Sequence, residues 1–348
     1  MSKSNHLTTR IVLEPEDEFN HDPGTISNFN ESMYFNVVDH EKKVGGWFRI
    51  GNRVNEGYAE MSCCVYLPDG RIGFMYQRPK IATNDVFDAG GLSIEVVEPF
   101  KHLRVKYSGN VCLLSDPSQM ANPKLAFTEN PIVECNIDLD FRGISPMFGG
   151  RPVDATTGEE PEQDPEQSFS KAHYEQHVSG VGVIKVDEEV FEINGLGLRD
   201  KSWGPRFWQA ISWYRWLPMA FSEDFAMMIS IVSADGVNAR TGGMVLEGDE
   251  YHLIREASIE TTWDEKWYQT NLIANVSTDH RSYEIKGEVA SLIPLRNRRT
   301  SPDGEELLTR ITEGLTKYTC DGSVGWGLSE YLDQIIDGVP VGKDVLSD

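Results

Sequence analysis

Apolar and polar side chains alternate through much of this chain, and this pattern limits the fold more than any other feature. From Val133 to Phe141, apolar residues take every second position, and acidic or amide residues stand between them. The same period recurs at 102–107 and 283–289. Successive side chains of a strand point to opposite faces, so a period of two indicates half-buried strands. The sequence therefore predicts an all-β fold.

Further segments carry the same signal in shorter form. The additional predicted strands are Cys63–Leu67, Arg71–Tyr76, Leu92–Val97, Val181–Val186, Phe225–Val232 and Leu272–Val276. Turn signals such as Pro68-Asp69-Gly70 and Asp321-Gly322 separate them. Short strands joined in this way favour antiparallel sandwiches or barrels. Helical periodicity is scarce, and only Leu328, Tyr331, Leu332 and Ile335 predict a short helix.

The charge balance bears on partners and location. The chain has 32 Lys and Arg against 55 Asp and Glu, a net charge of −23. Nucleic acids and anionic membrane surfaces are disfavoured as partners, because both are bound by basic surfaces. No apolar run approaches the roughly 20 residues that span a bilayer. The polar start, Met1 to Arg10, lacks the apolar segment of a secretory signal, so we expect a cytoplasmic protein.

The cysteines do not suggest a disulfide or zinc framework. Their number is five, and none forms a CxxC pair. The adjacent Cys63 and Cys64 would point to opposite faces of a strand. We expect buried free thiols.

The length suggests two domains, and one segment could join them. Residues 149–171 are polar and acidic and contain three prolines, which is typical of a surface loop or a linker. By composition alone, the domain boundary would fall here.

Tryptophan is concentrated in one stretch, residues 195–216. It contains Trp203, Trp208, Trp213 and Trp216, interleaved with Arg199, Asp200, Arg206 and Arg215. One interpretation is an Arg–Asp pair that braces a sheet corner under tryptophans. The other is an aromatic pocket with one acid, whose ring faces hold an apolar ligand or stabilise a cationic intermediate.

A second candidate is the sequence His173-Tyr174-Glu175-Gln176-His177. In a strand, His173, Glu175 and His177 would share one face. Two histidines and a carboxylate could bind a metal. The alternatives are a polar pocket lining or a plain structural strand.

Two more segments combine unusual residue types. Asn28–Asn36 mixes amides with aromatics, which suits a ligand-facing strand, although an edge strand that caps a barrel is the favoured interpretation. Arg296, Arg298 and Arg299 form a basic spot in an acidic chain. We interpret it as a solvated loop, with an anion site as the alternative.

The stretch Gly197-Leu198-Arg199-Asp200-Lys201-Ser202-Trp203-Gly204 resembles the Asp-x-x-Trp-Gly motif of carotenoid 1,2-hydratase-like and AttH-like proteins. The wider sequence is most similar to an uncharacterised bacterial branch of that group, over about residues 25–340. The segments that carry this similarity are Asn28–Asn36, Gly51–Met61, Phe87–Leu92, His173–His177, Arg199–Trp208, Ser291–Arg299 and Gly325–Gln334.

The resemblance implies two packed lipocalin-like antiparallel β-barrels with few short helices. The motif lies near the end of the first barrel in such proteins, so the implied domains are residues 25–205 and 206–345. The acidic stretch, residues 150–171, becomes a loop within the first barrel.

The resemblance also implies chemistry without an organic cofactor on apolar, often terpenoid substrates: hydration, dehydration, isomerisation or cyclisation. Protonating an alkene needs a carboxylic acid kept neutral near pH 7, and an apolar wall favours that state. Asp200 beside tryptophans would be such an acid, whereas Asp200 paired with Arg199 or Arg206 would be a structural anion. Characterised hydratases carry His and Glu where this chain has Lys201 and Ser202.

We therefore expect a cofactor-independent lyase or isomerase that acts on a terpenoid, steroid or aromatic molecule, with no metal. The predicted catalytic residues are Asp200, Glu175, His177 and Tyr174, and the predicted substrate-binding residues are Trp203, Trp208, Arg206, Tyr34 and Trp213. A non-catalytic carrier of a hydrophobic ligand is the main alternative, and a scaffold with filled barrels is another. A homo-oligomer is left open.

Overall fold

The computed structural model describes residues 9–161, 164, 168–300, 304 and 306–343, without the side chain of residue 299. Most of the N-terminal segment used to predict location, residues 1–8, and part of the acidic stretch lie outside the described residues.

Strands dominate the described part of the chain. They are β1 (Thr9–Val12), β2 (Phe29–Asp39), β3 (Val44–Arg53), β4 (Tyr58–Tyr66), β5 (Ile72–Gln77), β6 (Phe87–Ala89), β7 (Leu92–Glu98), β8 (His102–Leu114), β9 (Ile132–Gly143), β10 (Phe148–Asp154), β11 (Ala172–Val186), β12 (Glu189–Pro205), β13 (Trp213–Ser222), β14 (Phe225–Ser233), β15 (Ala239–Glu247), β16 (Glu250–Leu253), β17 (Glu256–Trp263), β18 (Gln269–Ser277), β19 (Ser282–Thr300), β20 (Glu306–Cys320), β21 (Ser323–Ile336) and β22 (Val339–Pro340). The predicted all-β class is confirmed.

Helices are few and short, as predicted, but the one predicted near the C-terminus is wrong. Among the described residues, the α-helix α1 covers Pro123–Glu129, and 3-10 turns cover Pro15–Glu18, Val54–Glu56, Pro117–Ala121 and Trp208–Ala210. Leu328 to Ile335 lie in β21 instead. Both faces of that strand are largely buried, so apolar residues stand on both sides and imitate a helical spacing.

The first sheet closes on itself. Its antiparallel pairs run β11-β12-β2-β3-β4-β5-β8, and β9 then pairs with both β8 and β11, which completes a ring of eight strands among the described residues. Its interior is filled by apolar side chains such as Phe35, Phe48, Leu103 and Phe141. This is the first lipocalin-like barrel.

The second sheet follows the order β16-β15-β14-β13-β21-β20-β19-β18-β17. Its antiparallel strands curl back so that β15 and β17, from opposite ends, come into contact. Trp213, Leu217, Ile229 and Tyr318 fill its own core. The predicted pair of lipocalin-like barrels is therefore present.

The two barrels pack through the outer faces of their sheets. Tyr34, Trp47 and Tyr66 of the first barrel share an apolar cluster with Ile293 and Leu328 of the second. Every residue of β2 is consequently buried, because one face meets the core of its own barrel and the other meets the second barrel. Cys63 and Cys64 of β4 divide between the same two sides, as predicted.

Two local predictions need correction. The segment Asn28–Asn36 is not an edge strand, because β2 pairs with β12 on one side and β3 on the other. The basic spot around Arg296 is not a loop, because β19 extends to Thr300.

All five cysteines are buried and free, as expected.

The acidic segment is only partly a loop. Its beginning forms β10, which pairs with β1 and β11, and residues 162, 163 and 165–167 lie outside the described residues. The strand pairing changes from the first sheet to the second between Pro205 and Trp213. The domain limits 25–205 and 206–345 stay a prediction, and the structure also packs the segment before residue 25 against the first barrel through Glu18.

Within the described residues, no helix is both long enough and apolar enough to span a membrane.

We expect the buried ion pair between Arg199 and Glu18 to be essential for stability. Both side chains are inaccessible to solvent, and the two guanidinium–carboxylate hydrogen bonds measure 2.7 and 2.9 Å. The substitution Arg199→Met leaves a buried carboxylate without its partner. It should lower the free energy of unfolding by about 3–5 kcal/mol, measured by urea denaturation.

The matched control is Arg104→Met, which removes an exposed pair with Asp138 and should cost about 1 kcal/mol or less. The double variant Glu18→Gln/Arg199→Met should recover part of the loss, because no buried charge then remains. Equal effects of Arg199→Met and Arg104→Met would contradict the assignment.

Candidate active site

A cavity of about 590 Å³ lies where the two barrels meet. Its apolar wall comes from both barrels and from the connecting segments. The main apolar and aromatic side chains are Tyr34, Trp47, Phe74, Met120, Phe127, Phe169, Trp208, Ile211, Tyr214, Trp216 and Leu295. A cavity of this size suits a small organic ligand. It also argues against the scaffold hypothesis, which predicts that no cavity of this size is present.

Strand register builds one wall of the site. In the first barrel, Glu175 of β11 stands opposite Asp200 of β12. Asp200 in turn stands opposite Tyr34 of β2, and Tyr34 stands opposite Arg49 of β3. Residues directly opposite each other in paired strands project to the same side of the sheet. These four side chains therefore form one row on the outer face of the first barrel, towards the second.

The second barrel supplies the facing row. Trp216 of β13 stands opposite Glu330 of β21, which stands opposite Glu313 of β20. The Trp216 indole Nε1 donates a hydrogen bond of 2.7 Å to Glu175 Oε1, and the Trp216 ring meets Tyr34 edge-on. The two rows are thus in direct contact across the junction between the barrels.

His173 and Asp200 form an ion pair at the cavity wall. Nε2 of His173 contacts the Asp200 carboxylate and lies 3.8 Å from Glu175 Oε1. Burial acts to lower the pKa of His173, but the charges of Asp200 and Glu175 outweigh it and raise the pKa to about 9. At neutral pH the imidazole is therefore protonated, and its side chain remains 44% exposed towards the cavity.

Glu175, which lies beside His173 and Asp200, has a strongly raised pKa. Burial raises its pKa to about 7, although the neighbouring His173 acts in the opposite direction. Its Oε2 is buried and has no hydrogen-bond partner. A carboxyl group that titrates near pH 7 can either donate or accept a proton under physiological conditions.

Glu313 and Glu330 of the second barrel form a pair of acids on the wall that faces Asp200. Burial raises the pKa of Glu313 well above its ordinary value, and the neighbouring Glu330 adds to the effect. The pKa of Glu330 is raised by burial as well, although Tyr214 donates a hydrogen bond to it. Two adjacent buried carboxyl groups do not ionise together at low cost, so this pair retains a proton. The nearby Tyr34 hydroxyl is buried without a partner.

The partner of Asp200 is neither of the two arginines considered from the sequence. Arg199 binds Glu18 on the opposite side of β12, together with the Lys201–Glu31 pair. Arg206 donates to the Ser202 hydroxyl at 2.8 Å. Alternation along β12 separates the two sets, because odd-numbered positions face the barrel interior and even-numbered positions face the cavity.

The same alternation removes three predicted site residues from the cavity. Trp203 stacks on His21 at 4.0 Å on the interior side, and Tyr174 donates to Glu18 at 2.7 Å there. Trp213 lies in the core of the second barrel. None of these three residues lines the cavity. Tyr34, Arg206 and Trp208 do line the cavity.

His173, Glu175 and His177 lie on one face of β11, but they do not form one site. Nδ1 of His177 is 3.0 Å from the hydroxyl of Tyr251, away from Asp200. Burial lowers the pKa of His177 to about 4, so this imidazole is neutral at pH 7. It joins the barrels, and we do not assign it a catalytic role.

Several site residues were missed from the sequence, and a signal existed for two of them. Glu313 interrupts the apolar alternation of Ile311 and Leu315, and Glu330 follows Trp326 and Leu328 in the same way. A carboxylate on an apolar strand face indicates a buried acid. Arg49 and Trp47 carry no comparable signal.

His173, Glu175 and Asp200 could also hold a metal ion. One ligand atom from each lies within 4.8 Å of the others, and they are the one such group among the described residues. A metal would have to displace the proton from His173, because the protonated imidazole offers no lone pair. The arrangement as it stands is suited to proton transfer.

Comparisons with known proteins identify the fold group. The family described as a domain of unknown function, DUF7064, matches residues 14–335. A search of curated protein sequences gives no match. The structure of CghA with Sch210972 aligns over 94% of this chain and 98% of its own, with a TM-score of 0.53 and 10% identity.

Two further solved structures align at similar quality. A protein provisionally identified as AttH from Nitrosomonas europaea gives a TM-score of 0.52 at 11% identity, over 93% of this chain and 96% of its own. Kievitone hydratase from Nectria haematococca gives 0.50 at 9% identity, over 95% and 94%. These similarities confirm the predicted resemblance to the hydratase and AttH-like group at the level of the fold.

The raised pKa of Glu175 predicts a pH-dependent contribution to stability. The unfolded chain titrates near the ordinary value of 4.5, and the folded protein near about 7. Between these values the folded state holds a proton that the unfolded state has released. The contribution of Glu175 to the free energy of unfolding should therefore fall as pH rises through this window, by at most about 1.4 kcal/mol per pH unit.

Glu175→Gln lacks this proton, so the free energy of unfolding of the wild type minus that of the variant should fall as pH rises between about pH 5 and 6.5, as measured by urea denaturation. His177, whose pKa burial lowers to about 4, titrates in the same range with the opposite sign, but it does so in both proteins and cancels in the difference. Glu95→Gln, on an exposed position of β7, serves as control and should follow the wild type. Parallel curves for the wild type and Glu175→Gln would contradict the altered pKa.

Proposed function

We propose that this chain, a member of the DUF7064 family, is a cofactor-independent lyase or isomerase that acts on an apolar small molecule. The family is described as being of unknown function, so the proposal rests on the residues of the site itself. The observation that carries the proposal is the His173–Asp200 pair, with Glu175 beside it, at the wall of an aromatic cavity. The two similar structures named as a hydratase and as CghA support the class of reaction only through their shared fold.

In the proposed reaction, protonated His173 donates a proton to a carbon–carbon double bond of the bound substrate. The π electrons form the new C–H bond, and the positive charge moves to the adjacent carbon. Asp200 is a positioning residue in this step, because it orients the imidazole and stabilises its charged form. This differs from the sequence-based expectation that Asp200 itself is the acid.

The cationic intermediate would be stabilised by the aromatic faces of the cavity. Trp216, which donates a hydrogen bond to Glu175, and Tyr34, which packs against Trp216, supply such faces beside the proposed acid and base. The intermediate then loses a different proton, which gives an isomer, or adds a water molecule that releases a proton, which gives a hydrate. Glu175, with its pKa of about 7, is the proposed acceptor of the released proton.

The cavity supports a terpenoid, steroid or aromatic substrate as the general class. Its wall is largely aromatic and apolar, and its volume of about 590 Å³ suits a molecule with several rings or a folded isoprenoid chain. The alternative function, a carrier of a hydrophobic ligand, uses the same cavity. The carrier does not require the ion pair between His173 and Asp200.

Deuterium incorporation tests the proposal and does not require the product to be identified in advance. The purified protein, treated with a chelator, is incubated in D₂O with a panel of isoprenoid, steroid and aromatic alkenes, and recovered molecules are analysed by mass spectrometry. We expect at least one compound to gain deuterium or the mass of water. His173→Gln should abolish this, and Asp200→Asn should lower the rate by about 10²-fold or more.

Asp138→Asn is the matched control, because Asp138 also pairs with a base but lies on an exposed strand face. It should behave as the wild type. Circular dichroism checks the fold of each variant. Binding without exchange in the wild type would favour the carrier, and unchanged turnover in Asp200→Asn would exclude the assigned role.

A further inference from the structure

Positive charge is concentrated beside Trp208 although the whole chain carries a net charge of −23. The Cζ atoms of Arg49 and Arg206 lie 5.9 and 5.5 Å from the centroid of the Trp208 ring. Burial lowers the pKa of Arg206 to about 10, and the proximity of Arg49 contributes, although the charge of Asp200 acts in the opposite direction. Such a shift is expected where buried cations lack a full complement of anions.

Both guanidinium groups have hydrogen-bond donors that the protein does not use. Arg206 donates from Nη2 to the Ser202 hydroxyl, but its buried Nε has no partner, and no carboxylate among the described residues pairs with it. Arg49 donates from Nη1 to Glu60 at 3.3 Å, and its buried Nη2 has no partner. Buried donors are normally satisfied, so unused ones beside a cavity indicate a missing acceptor.

Neighbouring polar groups are incomplete in the same way. Nη1 of Arg53 and Nδ2 of Asn30 are buried donors without partners, and Asn30 Oδ1 is a buried acceptor without one. Gly51 leaves the space for this arrangement, because a Cβ atom there would lie 2.8 Å from both Arg49 Nη2 and Asn30 Oδ1. The unused donors therefore belong to one region of the first barrel.

The acids of the cavity do not balance these cations, because Asp200 pairs with His173 and the others are shared or altered in protonation. Glu60 is shared between Arg49 and Arg78, at 3.3 and 3.6 Å. Burial raises the pKa of Glu313 and of Glu330, so this pair carries less negative charge than its composition suggests. Arg296, part of the basic spot noted in the sequence, lines the same cavity and adds to the positive charge, whereas Arg298 pairs with Glu306 at 3.3 Å.

We propose that the cavity binds an apolar molecule that carries a carboxylate, and that Arg49 and Arg206 bind this carboxylate beside Trp208. The inference rests on the proposed function of the cavity as a substrate site and narrows its substrate class. Planar guanidinium groups match the geometry of a carboxylate and form charge-assisted hydrogen bonds with it. The aromatic wall would then hold the apolar body of the same molecule.

Matched pairs of probes test the inference directly. The probes are all-trans-retinoic acid against all-trans-retinol, and oleic acid against oleyl alcohol, which differ only in the charged end. Retinoid binding is followed by quenching of tryptophan fluorescence, and binding of the oleyl pair by calorimetry. At neutral pH the wild type should bind each acid at least about tenfold more tightly than its alcohol.

Substitution of the two arginines should remove the preference and leave the apolar contacts. Arg206→Met and Arg49→Met should each reduce the affinity for the acids, and the double variant should bind acid and alcohol equally. Arg206→Lys should restore part of the preference, because it restores the charge without the planar fork. Arg255→Met is the control, since Arg255 forms an exposed pair with Asp279 in the second barrel, and it should match the wild type.

Equal binding of acid and alcohol by the wild type, including no measurable binding of either, would overturn the inference. So would a preference that survives in the folded double variant, as judged by circular dichroism. This result is separable from the test of catalysis. If the wild type shows deuterium exchange but no preference for the acids, only the anion site is rejected. If it prefers the acids but shows no exchange, only the catalytic proposal is rejected.

Discussion

The packing of the two barrels through their outer sheet faces is the constraint on which the rest of the structure depends. A lipocalin-like barrel normally shows its outer face to water, but here β2 is buried on both sides. Each residue of such a strand belongs either to the barrel core or to the junction, according to its position. The barrel interior is filled by side chains, so the space for a ligand arises at the junction instead.

Alternation along β12 then assigns its charged residues to two different tasks. Arg199 and Lys201 face the barrel interior, where their ion pairs with Glu18 and Glu31 are inaccessible to solvent. Asp200 faces the cavity and meets His173. A single residue step along the strand thus separates ion pairs that stabilise the fold from a pair available for proton transfer, because the side-chain period is two.

The low polarity of the junction gives its titratable groups their altered protonation states. Burial raises the pKa of Glu175 and of Glu313, whereas neighbouring carboxylates raise that of His173. The proposed acid, its positioning carboxylate and the proposed anion site therefore share one cavity. Arginines line the wall of this cavity although the chain as a whole carries a net charge of −23.

The sequence by itself determined the fold class and most strands, because a strand with one buried face shows a period of two within a short window. It also pointed to Asp200, Glu175, Trp208 and Arg206, through unusual residue types in a short stretch. Only the tertiary structure decided their partners, since pairing across strands joins residues far apart in sequence. β21 is buried on both faces, and its sequence therefore resembled that of a helix. Its burial depends on packing between the two barrels, which a short stretch of sequence does not reveal.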